Sequence, residues 1–124
     1  MKSETERWVR RAGDDLQLAS LAYEGGMEEL TLFHCQQALE KLLKGIVVEQ
    51  TSADHVRRTH DLVSLVEELH LQVSEEQFVL LRRLGELYMP SRYGDEDVNL
   101  AEALLVEWLR QTTELFLWLR QLLS

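Results

Sequence analysis

The side chains best placed to do chemistry cluster at Tyr88, Arg92, Tyr93 and Asp95, just after a helical stretch that ends near Pro90. A guanidinium grips a phosphate through two parallel hydrogen bonds, and flanking aromatic rings stack on a base or on the guanidinium itself. The same residues also suit a plain connector in which Arg92 pairs with a nearby acid, and composition leaves both readings open. A second set lies on one helix. Phe33, Gln37, Lys41, Lys44 and Val48 follow at offsets of four, four, three and four, which places them on one face. That face lies opposite the helix's main apolar stripe, and its two lysines have only Glu40 beside them. An ordinary solvated face would read the same way. The histidines are His34, His55, His60 and His70. None has a His or Cys partner at a spacing that suggests a metal site. There is no Gly-x-Ser-x-Gly elbow, no phosphate-cradling glycine loop and no Cys-x-x-Cys pair. The residues therefore predict no metal, no cofactor and no catalytic set.

Five helical segments must position these groups. Residues 4–23 carry Trp8, Ala12, Leu16, Ala19 and Tyr23 on one stripe and stop at Gly25-Gly26, because glycine reaches the left-handed C-terminal conformation cheaply. Residues 28–50 bury Leu32, Cys35, Leu39, Leu42, Leu43 and Ile46, and residues 51–58 read as a polar loop. A short helix with Thr59 as N-cap carries Leu62, Leu65, Val66 and Leu69. The next opens on a Ser74/Gln77 capping box and carries Phe78, Leu81, Leu84 and Tyr88. After a polar turn over residues 91–98, the last runs from Asn99, with Glu102 three residues on, to about Leu123. The expected fold is all-α: an up-and-down four-helix bundle plus one short helix, in a single domain over residues 1–124.

Bulk composition narrows the function classes. The chain has 13 Lys and Arg against 22 Asp and Glu, a formal net charge of -9. Such a field repels phosphate backbones at long range, so nucleic-acid binding would need a local basic patch. The lone Cys35 has no internal disulfide partner, which points to a reducing, cytoplasmic setting. The basic N-terminal stretch lacks the apolar run of a signal peptide. No segment reaches the roughly 20 apolar residues of a membrane span, since Glu102, Glu107, Arg110, Glu114 and Arg120 cut the greasiest stretch.

That stretch carries more apolar surface than one core needs. Leu104, Leu105, Trp108, Leu109, Leu115, Phe116, Leu119 and Leu122 already fill a wide arc, and Val106, Leu117 and Trp118 fall outside it. The excess predicts a second buried surface and hence a homodimer; the alternative is a terminal helix clasped deeply by its own bundle.

Four stretches, taken in order, resemble the HEPN (higher eukaryotes and prokaryotes nucleotide-binding) family. They are residues 8–19 (Trp-Val-Arg-Arg-Ala-Gly-Asp-Asp-Leu-Gln-Leu-Ala), 33–44 (Phe-His-Cys-Gln-Gln-Ala-Leu-Glu-Lys-Leu-Leu-Lys), 59–65 (Thr-His-Asp-Leu-Val-Ser-Leu) and 88–95 (Tyr-Met-Pro-Ser-Arg-Tyr-Gly-Asp). The Cys-Gln-Gln-Ala-x-Glu-Lys run and the Arg-Tyr-x-Asp turn are the most specific, with Gly94 where the family usually has Pro. The resemblance implies a helical, often dimeric protein with a nucleotide- or RNA-related function, commonly beside a minimal nucleotidyltransferase in a toxin–antitoxin-like pair. It draws attention to Lys41, Lys44, Tyr88, Arg92 and Tyr93 as nucleotide-binding residues. The resemblance also implies that the family's ribonucleases carry an Arg, then about four to six residues, then a His, for acid–base cleavage. Here Asp97, Val98 and Asn99 occupy that window after Arg92, and no other Arg has a His there. The expectation is a non-catalytic nucleotide-binding protein. A divergent ribonuclease using Arg92 and His60, or a helical interaction module without ligand, are the alternatives.

Overall fold

A computed structural model describes residues 1–51, 59–87 and 102–124. Among them, α1 spans Ser3–Glu24, α2 Glu28–Thr51, α3 Leu62–Glu68, α4 Glu75–Leu87 and α5 Glu102–Gln121, and no strand occurs. The architecture is all-α, as periodicity predicts. The turn holding Tyr88, Arg92 and Tyr93, and the Asn99 start of the last helix, lie outside the described residues.

Helix α2 is the central element. It packs against each of the other four helices, most extensively against α1. All six residues of its expected stripe are buried, and Leu39, Leu42, Leu43 and Ile46 are wholly so. Full burial of one such side chain contributes about 1.5–3 kcal/mol. Its C-terminal half is buried all round, Ala38 through Glu40 and Leu42 through Val48 included. This corrects the expectation that the lysine face looks away from the core. Lys44 and Val48 on that face are 2% and 3% exposed, because neighbours cover α2 on both sides.

Helices α1 and α2 form an antiparallel hairpin. Gly26, at φ 73°, occupies the left-handed position that ends α1, and the Met27 amide returns to the Ala22 carbonyl at 2.8 Å. At the open end, the Lys2 backbone amide and ammonium donate to Glu49 and to the Val48 carbonyl, each at 2.9 Å. Between these ties α1 presents a line of small buried residues, Thr5, Ala12, Asp15, Ala19 and Ala22, with Trp8, Leu16 and Tyr23 half-buried beside it. Small residues let the two backbones approach closely. A Cβ on Gly45 would stand 3.0 Å from the Trp8 Cβ.

The remaining elements close the core. Asp61, not Thr59, caps α3: its carboxylate accepts from the Val63 and Ser64 amides, while the Thr59 hydroxyl accepts from the Asp61 amide one step earlier. Leu62, Leu65, Val66 and Leu69 are buried as expected. Ser74 and Gln77 form the reciprocal capping box that opens α4, at 3.0 and 2.9 Å. The α4 stripe is rotated from expectation, with Leu80, Leu81 and Leu84 inside and Phe78 41% exposed. On α5, Leu105, Leu115, Phe116 and Leu119 face the core, and Trp108 and Trp118 pack half-buried against it. The bundle's own core thus accounts for part of the apolar excess read from the sequence. No helix among the described residues is long and apolar enough to cross a membrane.

Candidate functional site: a buried polar seam on the central helix

The polar side chains of residues 33–44 are not scattered over a wet surface. They converge on two buried carboxylates, one on each helix of the hairpin. Glu40, 3% exposed, is the first hub. It accepts a hydrogen bond from Gln36 Nε2 at 2.8 Å and one from Lys44 Nζ at 2.9 Å. His60 Nδ1 lies 3.1 and 3.2 Å from its two oxygens. Gln36, fully buried, is held in turn: its Oε1 accepts from Gln37 Nε2 at 2.6 Å, and its Nε2 reaches the His60 carbonyl at 3.4 Å. Asp15 of α1, 5% exposed, is the second hub. Its two oxygens take His34 Nδ1 at 2.8 Å and Lys41 Nζ at 2.6 Å. Phe33 meets the His34 ring edge-on at 5.1 Å between centroids.

The local sequence explains this arrangement. Gln36, Glu40 and Lys44 are spaced i, i+4, i+8, so they stack along one line of α2. Asp15 interrupts an alanine stripe on α1 and meets His34 and Lys41 across the hairpin. His60 arrives with the chain segment that enters α3. Buried charge is tolerated only when paired and hydrogen-bonded, and both hubs satisfy that condition.

The two lysines expected to form a positive patch are therefore already engaged. Lys44 also lies over the Trp8 ring, 5.7 Å from its centroid, a favourable place for an ammonium. Lys41 remains at the solvent edge, its side chain 26% exposed. The described residues bring Lys41 and Lys44 into one seam; Arg92, Tyr93 and Tyr88 lie outside the described residues.

Sequence reasoning missed Asp15, His34, Gln36 and Glu40. The available signals were the i, i+4, i+8 polar line in an otherwise greasy helix and a single acid inside an alanine stripe. His60, named only for an alternative reading, shares with His34 a ring nitrogen held by a buried carboxylate, and it is the more exposed of the two, at 46% against 19%. A carboxylate on Nδ1 fixes the orientation of the ring.

Comparison with known proteins agrees with the fold and its order of elements. Among curated proteins, none matches the chain. Two solved structures are similar along essentially the whole length. One is the crystal structure of ST0689, an archaeal HEPN homologue, at 27% identity and TM-score 0.76, covering 100% of both chains. The other is TT1696 from Thermus thermophilus, at 21% identity and TM-score 0.77, covering 97% of this chain and 98% of that one, a likeness of fold. The family model described as HEPN domain matches residues 5–122, the span that holds both carboxylate hubs and every helix core. The chain belongs to the HEPN family.

Proposed function

We propose that this HEPN protein binds a nucleotide, or a partner that carries one, as a non-catalytic homodimer, with a minimal nucleotidyltransferase as the candidate partner. In this reading Arg92 contacts phosphate, Tyr93 or Tyr88 stacks on the base, and Lys41 and Lys44 add charge from α2. The observation that carries it is the buried seam on residues 33–44. A fold needs no such network, since well-packed apolar side chains would hold the helices equally well. Because Lys41 and Lys44 are each balanced by a carboxylate, Arg92 contributes more to the contact with phosphate than either lysine. Calorimetry with ATP on the wild type and on Arg92→Ala tests this. Losing a charged contact costs about 1.5–3 kcal/mol, a roughly tenfold to hundredfold drop in affinity. Unchanged affinity in the variant removes Arg92 from the site, and no binding by any nucleotide favours a helical interaction module.

A second reading rests on His60. Its Nδ1 is held by a buried carboxylate, the geometry of a positioned proton carrier. With Arg92 it would make a divergent ribonuclease. Cleavage of single-stranded RNA that disappears in His60→Ala and in Arg92→Ala would establish that reading and displace the non-catalytic one.

A further inference from the structure

The basic side chains of the described residues divide into two groups. Lys41, Lys44 and Arg110 are committed to carboxylates, and the Lys2 ammonium to a backbone carbonyl. Arg7 and Arg11 belong to the other group: among the described residues neither has an ion pair or a hydrogen bond from its guanidinium. They are exposed, four residues apart on α1, with Trp8 between them. Together with Glu4 these three residues line an open hollow of about 150 Å³. The Trp8 ring is fixed from the α2 side, where the Lys44 ammonium lies against it and Gly45 lets the helix backbone come close. Among the described residues that line the hollow, two guanidiniums stand beside one carboxylate, that of Glu4.

We infer that this hollow is an anion site that receives the phosphate chain of a nucleotide, with Arg7 and Arg11 as its binding residues and Trp8 as its wall. The inference deepens the nucleotide-binding reading and rests on it for the identity of the ligand. Two guanidiniums one helical turn apart can each engage phosphate oxygens bidentately. Size limits what enters. Pockets that enclose a drug-sized ligand measure roughly 300–1,000 Å³, so this hollow takes phosphoryl groups and leaves the base outside. Binding here is consequently indifferent to base identity. A long polyanion would extend beyond the hollow into the field of a chain of net charge -9, which favours a short phosphate chain over extended RNA.

The test uses calorimetry with sodium tripolyphosphate, ATP and GTP on the full chain and on Arg7→Ala, Arg11→Ala, Arg10→Ala and Arg92→Ala. Arg10 is an exposed arginine of the same helix that does not line the hollow, so its variant removes equal charge without touching the site. The three ligands should bind with similar affinity. Arg7→Ala and Arg11→Ala should each weaken binding roughly tenfold or more, and Arg10→Ala less than about twofold. Quenching of tryptophan fluorescence by tripolyphosphate should vanish in Trp8→Phe. Equal losses in all three α1 variants would mean general charge attraction and overturn the site. Nucleotide binding that depends on Arg92 but not on Arg7 or Arg11 would overturn it while leaving the proposed function standing. Tripolyphosphate binding through Arg7 and Arg11 with no binding of either nucleotide would keep the anion site and remove the nucleotide reading. No binding of any of the three would remove both.

Discussion

Glu40 and Lys44 are the side chains whose burial asks most of the fold. Removing one partner strands the other, so Glu40→Ala leaves an ammonium without its carboxylate and should destabilise by about 3–5 kcal/mol. Replacing both, as Glu40→Leu with Lys44→Met, exchanges a buried ion pair for apolar volume and should restore most of the thermal stability. If the seam serves binding rather than folding, the double variant regains its melting temperature but not its ligand affinity. Recovery of both would mean the seam has no part in binding. Cys35 provides a second check at this scale. Burial pushes its thiol up to about 11, with Thr112 offsetting a small part. A thiol whose value is higher in the folded than in the unfolded chain holds its proton more tightly when folded. Stability is therefore unaffected below about pH 9 and declines as pH rises from about 9 toward 11, where only the unfolded chain releases the proton. Cys35→Ser or Cys35→Ala should flatten that slope in denaturation curves taken across the window, and Cys35 should react with an aromatic disulfide only as fast as the protein opens. These hubs were the least legible part of the sequence. Gln36, Glu40 and Lys44 at successive i, i+4 spacings look the same on a solvated face. Only the arrival of α1 and of His60, contacts made across 20 residues and more, decides that they are buried.

At the scale of the helix, the hairpin of α1 and α2 turns on small residues, and glycines separate its packing from its propensity. Gly45→Ala gains helix propensity of up to about 1 kcal/mol, yet its new methyl would press on the Trp8 Cβ at 3.0 Å. Overpacking of this kind costs about 1–3 kcal/mol, so the net expectation is a lower melting temperature. Gly13→Ala and Gly85→Ala meet nothing within 4 Å and keep ordinary helical backbone, so each should stabilise by about 0.5–1 kcal/mol. A Gly45→Ala protein more stable than wild type would show that α1 and α2 are less tightly apposed than the Trp8 contact requires. Elements of this kind were readable in the sequence. The Gly25-Gly26 stop, the Ser74/Gln77 box and the apolar line from Leu32 to Ile46 all obey local rules, and all three appear where expected. The rotated α4 stripe was not readable. Phe78 and Leu80 both lie within a helical period of Leu81 and Leu84; which of the two turns inward depends on where α2, α3 and α5 stand.

For the whole molecule, the open question of assembly becomes one of surfaces. With Trp108 and Trp118 packed half-buried against the protein's own core, the exposed apolar residues of α5 and the turn that follows it are Leu104, Val106, Leu117 and Leu122, and Leu117 is 56% exposed. Around the hairpin turn of α1 and α2 stand Leu18, Leu21, Met27, Leu30 and Phe33, with Leu21 and Met27 equally bare at 56% and 54%. Each apolar side chain buried at a symmetric interface is buried twice, and full burial contributes about 1.5–3 kcal/mol apiece before the cost of association is met. Either surface alone could hold two copies together. The expected homodimer should scatter light at twice the 14.5 kDa chain mass at micromolar concentration. Leu117→Glu should shift it toward monomer if α5 forms the interface, because a carboxylate would be stranded against its symmetry mate. Should Leu21→Glu dissociate it while Leu117→Glu does not, the interface lies at the hairpin turn and the apolar excess of α5 has another use. A monomer at every concentration would reject dimerisation and leave both surfaces for a different partner.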